Sequence, residues 1–456
     1  MKKLLLYILA IIHFFTFFYC ISSLPDFDCC IGILLSFILS FSICLYILSR
    51  SKLDLFSPII LYSCFNLFTP MVQLYIVFNH SHNLFLNAQP LIHRFSVLFN
   101  ITCLMNLLGY YACLSGYKLF SKIENRKRKC IKPSNHYLPL FLFVLESLAL
   151  INFIYNMRSM GGSIIKNPAL LYSAISTKSV GTTIFYNCAI FALYIYMAEK
   201  EKRNIIIESL LLFIAFILIA TNLRIFLSLT IILIYIGIKY EDNSNPQKNK
   251  KFVLVIFALL CAGILFYYFR IIMSLSLMGK KAEFKDFAEN FGYFAFDKGN
   301  TPNVAIQMFL YDRWNNYLLG KSFLAPLISW LGVDTHNFIP AVIIKRNFFM
   351  QVMGGNLPVT GVGEFYMNFS YLGVIWGMFL FGVLGGILYT RFYKSPNRII
   401  RIMGIYFSIS FYMLFPKGEL NNIGLFQPIC ILIIYIIFDF IKISSKITIP
   451  YKEVLQ

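Results

Sequence analysis

The chain has 456 residues, of which 59% are hydrophobic and 13% charged, and it carries a formal net charge of +20. A soluble domain is nearer half apolar and a quarter charged, so one water-soluble core is excluded. The basic excess does not mark a nucleic-acid binder, because the lysines and arginines punctuate apolar runs rather than line one face of a soluble module.

The apolar runs come first at the start. Met1-Lys2-Lys3 and the stretch to Cys20 resemble a signal peptide, yet no small-x-small cleavage site stands near Phe18-Tyr19-Cys20-Ile21, and a second run follows at once. The reading is an uncleaved first helix. Spans are expected at 4–20, 29–48, 56–78, 95–116, 137–156, 182–198, 205–221, 225–239, 252–268, 371–390, 402–416 and 427–442. Each crosses a hydrocarbon core of roughly 30 Å as a helix. The expected fold is an all-α polytopic membrane protein of about twelve transmembrane helices. Its parts are 1–268 with the first nine spans, 269–370 as one large external loop, and 371–456 with the last three spans and a tail.

Lysine and arginine in the short loops set the orientation. With Lys2 cytoplasmic, alternate loops on that side hold Arg50 and Lys52, Arg126 to Lys129, Lys200, Lys202 and Arg203, Lys248, Lys250 and Lys251, then Arg391, Lys394, Arg398 and Arg401. The opposite short loops hold few. Both termini are therefore expected in the cytoplasm. The 11 cysteines lie mostly inside spans and read as small hydrophobes. Cys20, Cys29 and Cys30 near one face leave a pairing open.

The long loop has its own pattern. Phe284, Phe287, Ala288 and Phe291 fall at i, i+3, i+4 and i+7, with Lys285, Asp286, Glu289 and Asn290 opposite. That spacing predicts an amphipathic helix in the membrane interface. Thr301-Pro302 reads as the cap and first residue of a second helix running to about Asp312. Residues 322–332 and 337–344 are apolar but too short to span, hence re-entrant or interfacial. Gly354 to Gly363 is a turn-rich loop feeding the tenth span.

No Walker loop, Rossmann glycine pattern, HExxH or GxSxG occurs, which speaks against an ATP-driven pump. The remaining chemistry lies in polar residues near the external face. Arg224, in the tight turn Thr221-Asn222-Leu223-Arg224 between apolar spans, is either an interfacial snorkelling arginine or an anion-binding one. Arg270 ends the ninth span, where a positive charge runs against the topology rule. Arg313, in Tyr311-Asp312-Arg313-Trp314, has Asp312 and Trp314 as local partners. His336 is the one histidine of the long loop, and a structural role is open to it. Glu364 follows Gly361-Val362-Gly363. It suits either a general base or acceptor of sugar hydroxyls, or an acid placed by a helix N-terminus.

Gly354 to Gly373, with Gly363, Glu364, Tyr366, Asn368, Phe369 and Gly373 in register, resembles the segment closing the large periplasmic loop of Wzy-type repeat-unit polymerases. Ser370 stands where that family commonly has glycine. The Asn222-Leu223-Arg224 turn resembles a second family feature, and length, span number and late loop also match. The resemblance implies a GT-C-like bundle in the bacterial inner membrane and an enzyme of O-antigen or similar polysaccharide biosynthesis. Its reaction moves a growing glycan from undecaprenyl diphosphate onto a new lipid-linked repeat unit. A sugar hydroxyl attacks the anomeric carbon and lipid diphosphate leaves. Arg224, Arg270 and Arg313 are then candidates for the diphosphate, gripped by planar forks, and Glu364 or His336 for the base. Tyr366 and Asn368 join the substrate side. No cofactor and no metal are implied, so arginines do what a cation would. A chain-length regulator protein is an implied partner beside the lipid-linked oligosaccharide and the bilayer. An O-antigen ligase and a repeat-unit flippase are the rival readings. The Gly-Glu-aromatic run favours the polymerase over the ligase, and the long loop favours it over the flippase.

Overall fold

A computed structural model of the chain describes residues 30–49, 57–63, 66, 95–121, 151, 307, 309–328, 333–348, 359–393, 404, 405, 407–409, 411, 412 and 415. The spans expected at 4–20, 182–198, 205–221, 225–239, 252–268 and 427–442 lie outside these residues, as do the helix expected over 284–291, most of the span at 137–156, and Arg224 and Arg270. All regular structure among the described residues is helical, with no strand. In chain order the helices are α1 (Cys30–Ser49), α2 (Phe95–Ser121), α3 (Lys321–Ile328), α4 (Pro340–Phe348) and α5 (Gly361–Ile387), which continues as a π-helical run, Leu388–Tyr393.

Two stretches, Ser96–Ser121 and Gly361–Tyr393, are long and apolar enough to cross a membrane, and α1 holds a shorter apolar stretch, Ile31–Ile47. These helices are apolar on both faces. On α5, Val374, Met378 and Phe381 are buried while Leu372, Ile375, Trp376, Leu380, Leu384 and Ile387 face out. A helix that is hydrophobic all round cannot rest that outer face against water.

The described residues divide into two compact units, one with 30–121, 307–390 and 408–415, the other with 151, 391–393 and 404–407. In the smaller, the Phe392 and Phe407 rings meet edge to face at 6.1 Å. The larger is built on α1, α2 and α5. Its pairings rise together in number: Gly32 N–H donates to Asn100 Oδ1 at 2.6 Å, Ser36 Oγ to Cys103 Sγ at 3.3 Å, and Ser42 meets Tyr111 at 2.6 Å. Along the α2–α5 contact Gly109 lies beside Val374 and Met378, Cys113 beside Gly382, and Tyr117 and Phe120 beside Gly386. The three helices therefore run parallel. Glycines make the α2–α5 approach possible: a Cβ on Gly116 or Gly382 would fall on the backbone of the other helix.

The helix α5 is broken. Phe369 (φ −141°, ψ 19°) and Ser370 (φ 59°, ψ −154°) leave the helical region. Phe365 then lies against Gly373 and Gly377, although residues 365 and 377 of a straight helix stand about 18 Å apart. The Phe415 ring touches both Gly361, where a Cβ would sit 2.8 Å from it, and the Phe381 ring at 5.1 Å. So residues 361–368 form a short arm that doubles back along 371–387. The long arm, with its π-helical extension to Tyr393, reaches about 34 Å, enough to cross a bilayer core alone. Its start matches the span expected from 371. The short arm differs from the expected turn-rich loop: Gly361, Val362 and Gly363 are its first helical turn. The Thr360 hydroxyl caps it by accepting the Gly363 N–H at 3.2 Å, and packing against Phe415 needs a residue without a side chain at 361.

Ser370 holds a left-handed φ that glycine adopts freely and serine does not. Such a residue costs of order 1–3 kcal/mol. Its hydroxyl accepts only the exposed Tyr317 O–H, at 3.1 Å, worth less than that. Ser370→Gly is therefore expected to raise the unfolding midpoint of the detergent-solubilised protein by about 1 °C or more, and Ser370→Val to lower it. A lower midpoint for Ser370→Gly would show that the turn is not strained.

Candidate functional site

A helix broken inside a bundle leaves its last carbonyls without N–H partners. The loop before α3 supplies them. Leu318 N–H donates to Met367 O at 3.0 Å, Leu319 N–H to Asn368 O at 3.2 Å, and the Trp314 indole N–H also reaches Met367 O, at 3.1 Å. Leu319 (φ 49°) and Gly320 (φ 86°) take left-handed backbone to aim these groups. The segment 314–320 thus caps the short arm from outside its own helix.

Beyond this cap lies a polar knot. Gly320 N–H donates to Asn368 Oδ1 at 2.8 Å; Asn368 Nδ2 donates to Ser322 Oγ at 2.7 Å and back to Glu364 O at 2.8 Å; Ser322 Oγ donates to Glu364 Oε1 at 2.6 Å. None of the surface of Glu364 or Asn368 is exposed, and Ser322 is buried as well. A backbone N–H only donates, so the Gly320 contact fixes which way the Asn368 amide points. Buried groups of this kind persist where each finds a partner. Nearer the arm's start, Gln307 Nε2 donates to Thr360 Oγ1.

Glu364 and Asn368 are one turn apart on the short arm, and Tyr366 sits between them on another face. Tyr366 meets Tyr311 edge to face at 4.5 Å and Tyr371 at 5.2 Å, and Tyr311 stacks on Tyr371 at 6.2 Å. Tyr371 and Tyr317 keep part of their rings exposed. Burial pushes the Tyr311 phenol well above its usual value. So the aromatic cluster packs the turn of the hairpin, and the sequence-selected Tyr366 is part of its buried side.

The other candidates lie elsewhere. Arg313 ends the helical turn 309–313, is exposed, and pairs with Asp312 at 3.5 Å; its neighbour Trp314 donates to the short arm. His336 is exposed in the turn before α4, where its backbone N–H and ring both engage Asp334. Those hydrogen bonds, the backbone one first, hold the Asp334 carboxyl below its usual range. Nearby, Arg346 Nη1 donates to Asn337 Oδ1 at 2.9 Å. The apolar runs expected at 322–332 and 337–344 overlap the short helices α3 and α4, with 329–332 outside the described residues. Glu364 is not on an external surface but enclosed, one turn inside a helix.

Sequence reasoning passed over Ser322, Gly320 and Thr360. Thr360 carried a readable signal, a hydroxyl residue three before Gly363 at a helix start. Ser322 carried none, because its partners are 42 and 46 residues away. Among the described residues no group of three His, Cys, Asp or Glu is placed to hold a metal. No family model, curated protein or solved structure matches the chain.

Proposed function

We propose that this chain is a membrane-embedded glycosyltransferase of the Wzy type. It joins undecaprenyl-diphosphate-linked oligosaccharide repeat units into O-antigen or a similar surface polysaccharide at the periplasmic face of the bacterial inner membrane. The observation that carries this reading is the form taken by the Gly363-Glu364-Phe365-Tyr366-Met367-Asn368-Phe369 run. It is a short arm folded back into an apolar helical bundle, with one carboxylate held inside it by a clasp from the preceding loop. A polar knot in such a place is costly to build and is kept where it serves a site.

The chemistry runs as follows. The hydroxyl oxygen at the non-reducing end of a new repeat unit bonds to the anomeric carbon of the growing glycan. The bond from that carbon to the lipid diphosphate breaks, and the diphosphate takes the electron pair. Glu364 orients the attacking hydroxyl or takes its proton, with His336 as the other candidate base. Arg224, with Arg270 and Arg313, binds the diphosphate and meets its growing charge. Tyr366 and Asn368 support the sugar side by fixing the arm that bears Glu364. The bilayer surrounds about twelve spans, with both termini cytoplasmic.

Deletion of the gene in a host that builds lipopolysaccharide tests the function. The expected result is surface glycan reduced to single repeat units on the core, seen as loss of the electrophoretic ladder above core plus one. A core with no repeat at all, while long polymer accumulates on the lipid carrier, would assign the chain as a ligase instead.

A further inference from the structure

The clasp around the short arm joins a backbone donor, an amide and a hydroxyl to one buried carboxylate. We propose that Ser322, backed by Asn368, is the positioning residue for Glu364. This rests on the reading of Glu364 as the group that orients or deprotonates the acceptor hydroxyl.

Direction is what makes the clasp informative. Gly320 N–H can only donate, so Asn368 turns its carbonyl oxygen to Gly320 and its NH₂ to Ser322. The Ser322 oxygen accepts that hydrogen, and its own proton is directed to Glu364 Oε1 at 2.6 Å. The distance is that of a hydroxyl bonded to a carboxylate. A chain of fixed polarity therefore runs from a backbone N–H, through an amide and a hydroxyl, to one carboxylate oxygen. It sets the rotamer of Glu364 and marks Oε1 as an acceptor. Asn368 adds a second tie by donating to Glu364 O, so the side chain is positioned against its own helical turn.

Three cations on the described elements nearby are engaged elsewhere. Lys321, next to Ser322, turns its ammonium over the Phe338 ring at 5.5 Å. Arg313 is held by Asp312, and Lys118 of α2 lies over Tyr46 at 5.9 Å. Ser322 is the side chain of α3 that reaches the carboxylate.

A residue that positions the reacting group affects turnover more than substrate capture. The test uses full-length protein reconstituted in liposomes, with lipid-linked repeat units extracted from membranes of the gene-deleted host. Ser322→Ala is expected to lower kcat for polymerisation about tenfold to a hundredfold with KM for the lipid-linked unit little changed. Ser322→Thr, which keeps the hydroxyl, is expected to recover most of the rate. Should Ser322→Ala fail to accumulate in the membrane, Ser322→Cys, nearly isosteric but a weak donor, carries the same comparison, again with kcat reduced. Equal rates for wild type and Ser322→Ala, or equal losses for Ser322→Ala and Ser322→Thr, would overturn the positioning role while leaving the polymerase reading intact. Wild-type protein that joins no repeat units would instead remove the polymerase reading, and this inference with it.

Discussion

Gly382→Leu is expected to part α2 from α5 and to stop the protein accumulating in the membrane. The reason is reciprocal contact between backbones. A Cβ at Gly382 would fall on the Cys113 carbonyl, and one at Gly116 on the Phe379 carbonyl, with Val383 N also 2.9 Å away. A side chain that meets another side chain can be relieved by rotation, but a carbonyl in a helix cannot move without its helix. Overpacking of a relieved kind costs about 1–3 kcal/mol, and a leucine here exceeds that against a total stability on the order of 5–15 kcal/mol. Because α5 carries the short arm, Glu364 would lose its setting at the same time. The measurement is membrane accumulation and gel-filtration profile of a fluorescent fusion, with the outward-facing Leu380→Ala as the harmless comparison. A normal, monodisperse Gly382→Leu protein would mean that the two helices need no close approach.

The second large effect belongs to the reaction. Arg224→Ala is expected to abolish long polymer while the protein still accumulates, since a charge-assisted contact made mainly in the transition state is worth on the order of 10² to 10³ in rate. Arg224→Lys is expected to rescue poorly, because lysine keeps the charge and loses the fork. Glu364→Gln is expected to be impaired as well, because the amide oxygen can still accept from Ser322 but the charge and basicity of the carboxylate are lost. Full polymer from Glu364→Gln would move the proton to His336 or to no side chain. A separation of the 224 and 364 side chains beyond roughly 15 Å would refute one shared site, being too far for both to reach one reacting centre.

The long helices were legible because hydropathy reports them directly. The runs 29–48 and 95–116 foretell α1 and most of α2, and the run from 371 starts where the long arm does. The last three residues of the π-helical run and the last five of α2 extend beyond the expected spans, where Phe392 meets Phe407 and where Tyr117 and Phe120 pack beside Gly386. The start of the short arm, Gly361 to Gly363, looks like loop for a good local reason: its two glycines disfavour a free helix, whereas Glu364 in the first turn agrees with the alternative of an acid placed by a helix N-terminus. Tertiary contact overrides that preference, with Thr360 capping the start, Phe415 covering Gly361 and the 318–320 backbone closing the end. The glycine-like demand at 370 had a sign in the sequence only through the resemblance, Ser370 standing where the resembled polymerases commonly have glycine. Ser322 could not be read, because a lone serine opening an apolar run says nothing about a partner far along the chain. Arg224 and Arg270 rest on sequence argument alone.

The short arm also constrains the order of assembly. Its partners come from both directions along the chain: Ser322 and the 314–320 cap precede it, and Phe415, which covers Gly361, follows it. Eight residues of helix are too few to be stable alone in water, and this arm has no hydrophobic length to hold itself in a bilayer. It must wait, during synthesis, until the residues around 415 have been made and brought alongside α5. Among the described residues the hydrogen bonds to Glu364 and Asn368 come from Gly320, Ser322 and the arm itself, so what the arm waits for is the apolar cover of Gly361 by Phe415. The polar clasp is thus local to residues 320–368, and the apolar lid over its start is the contact made last.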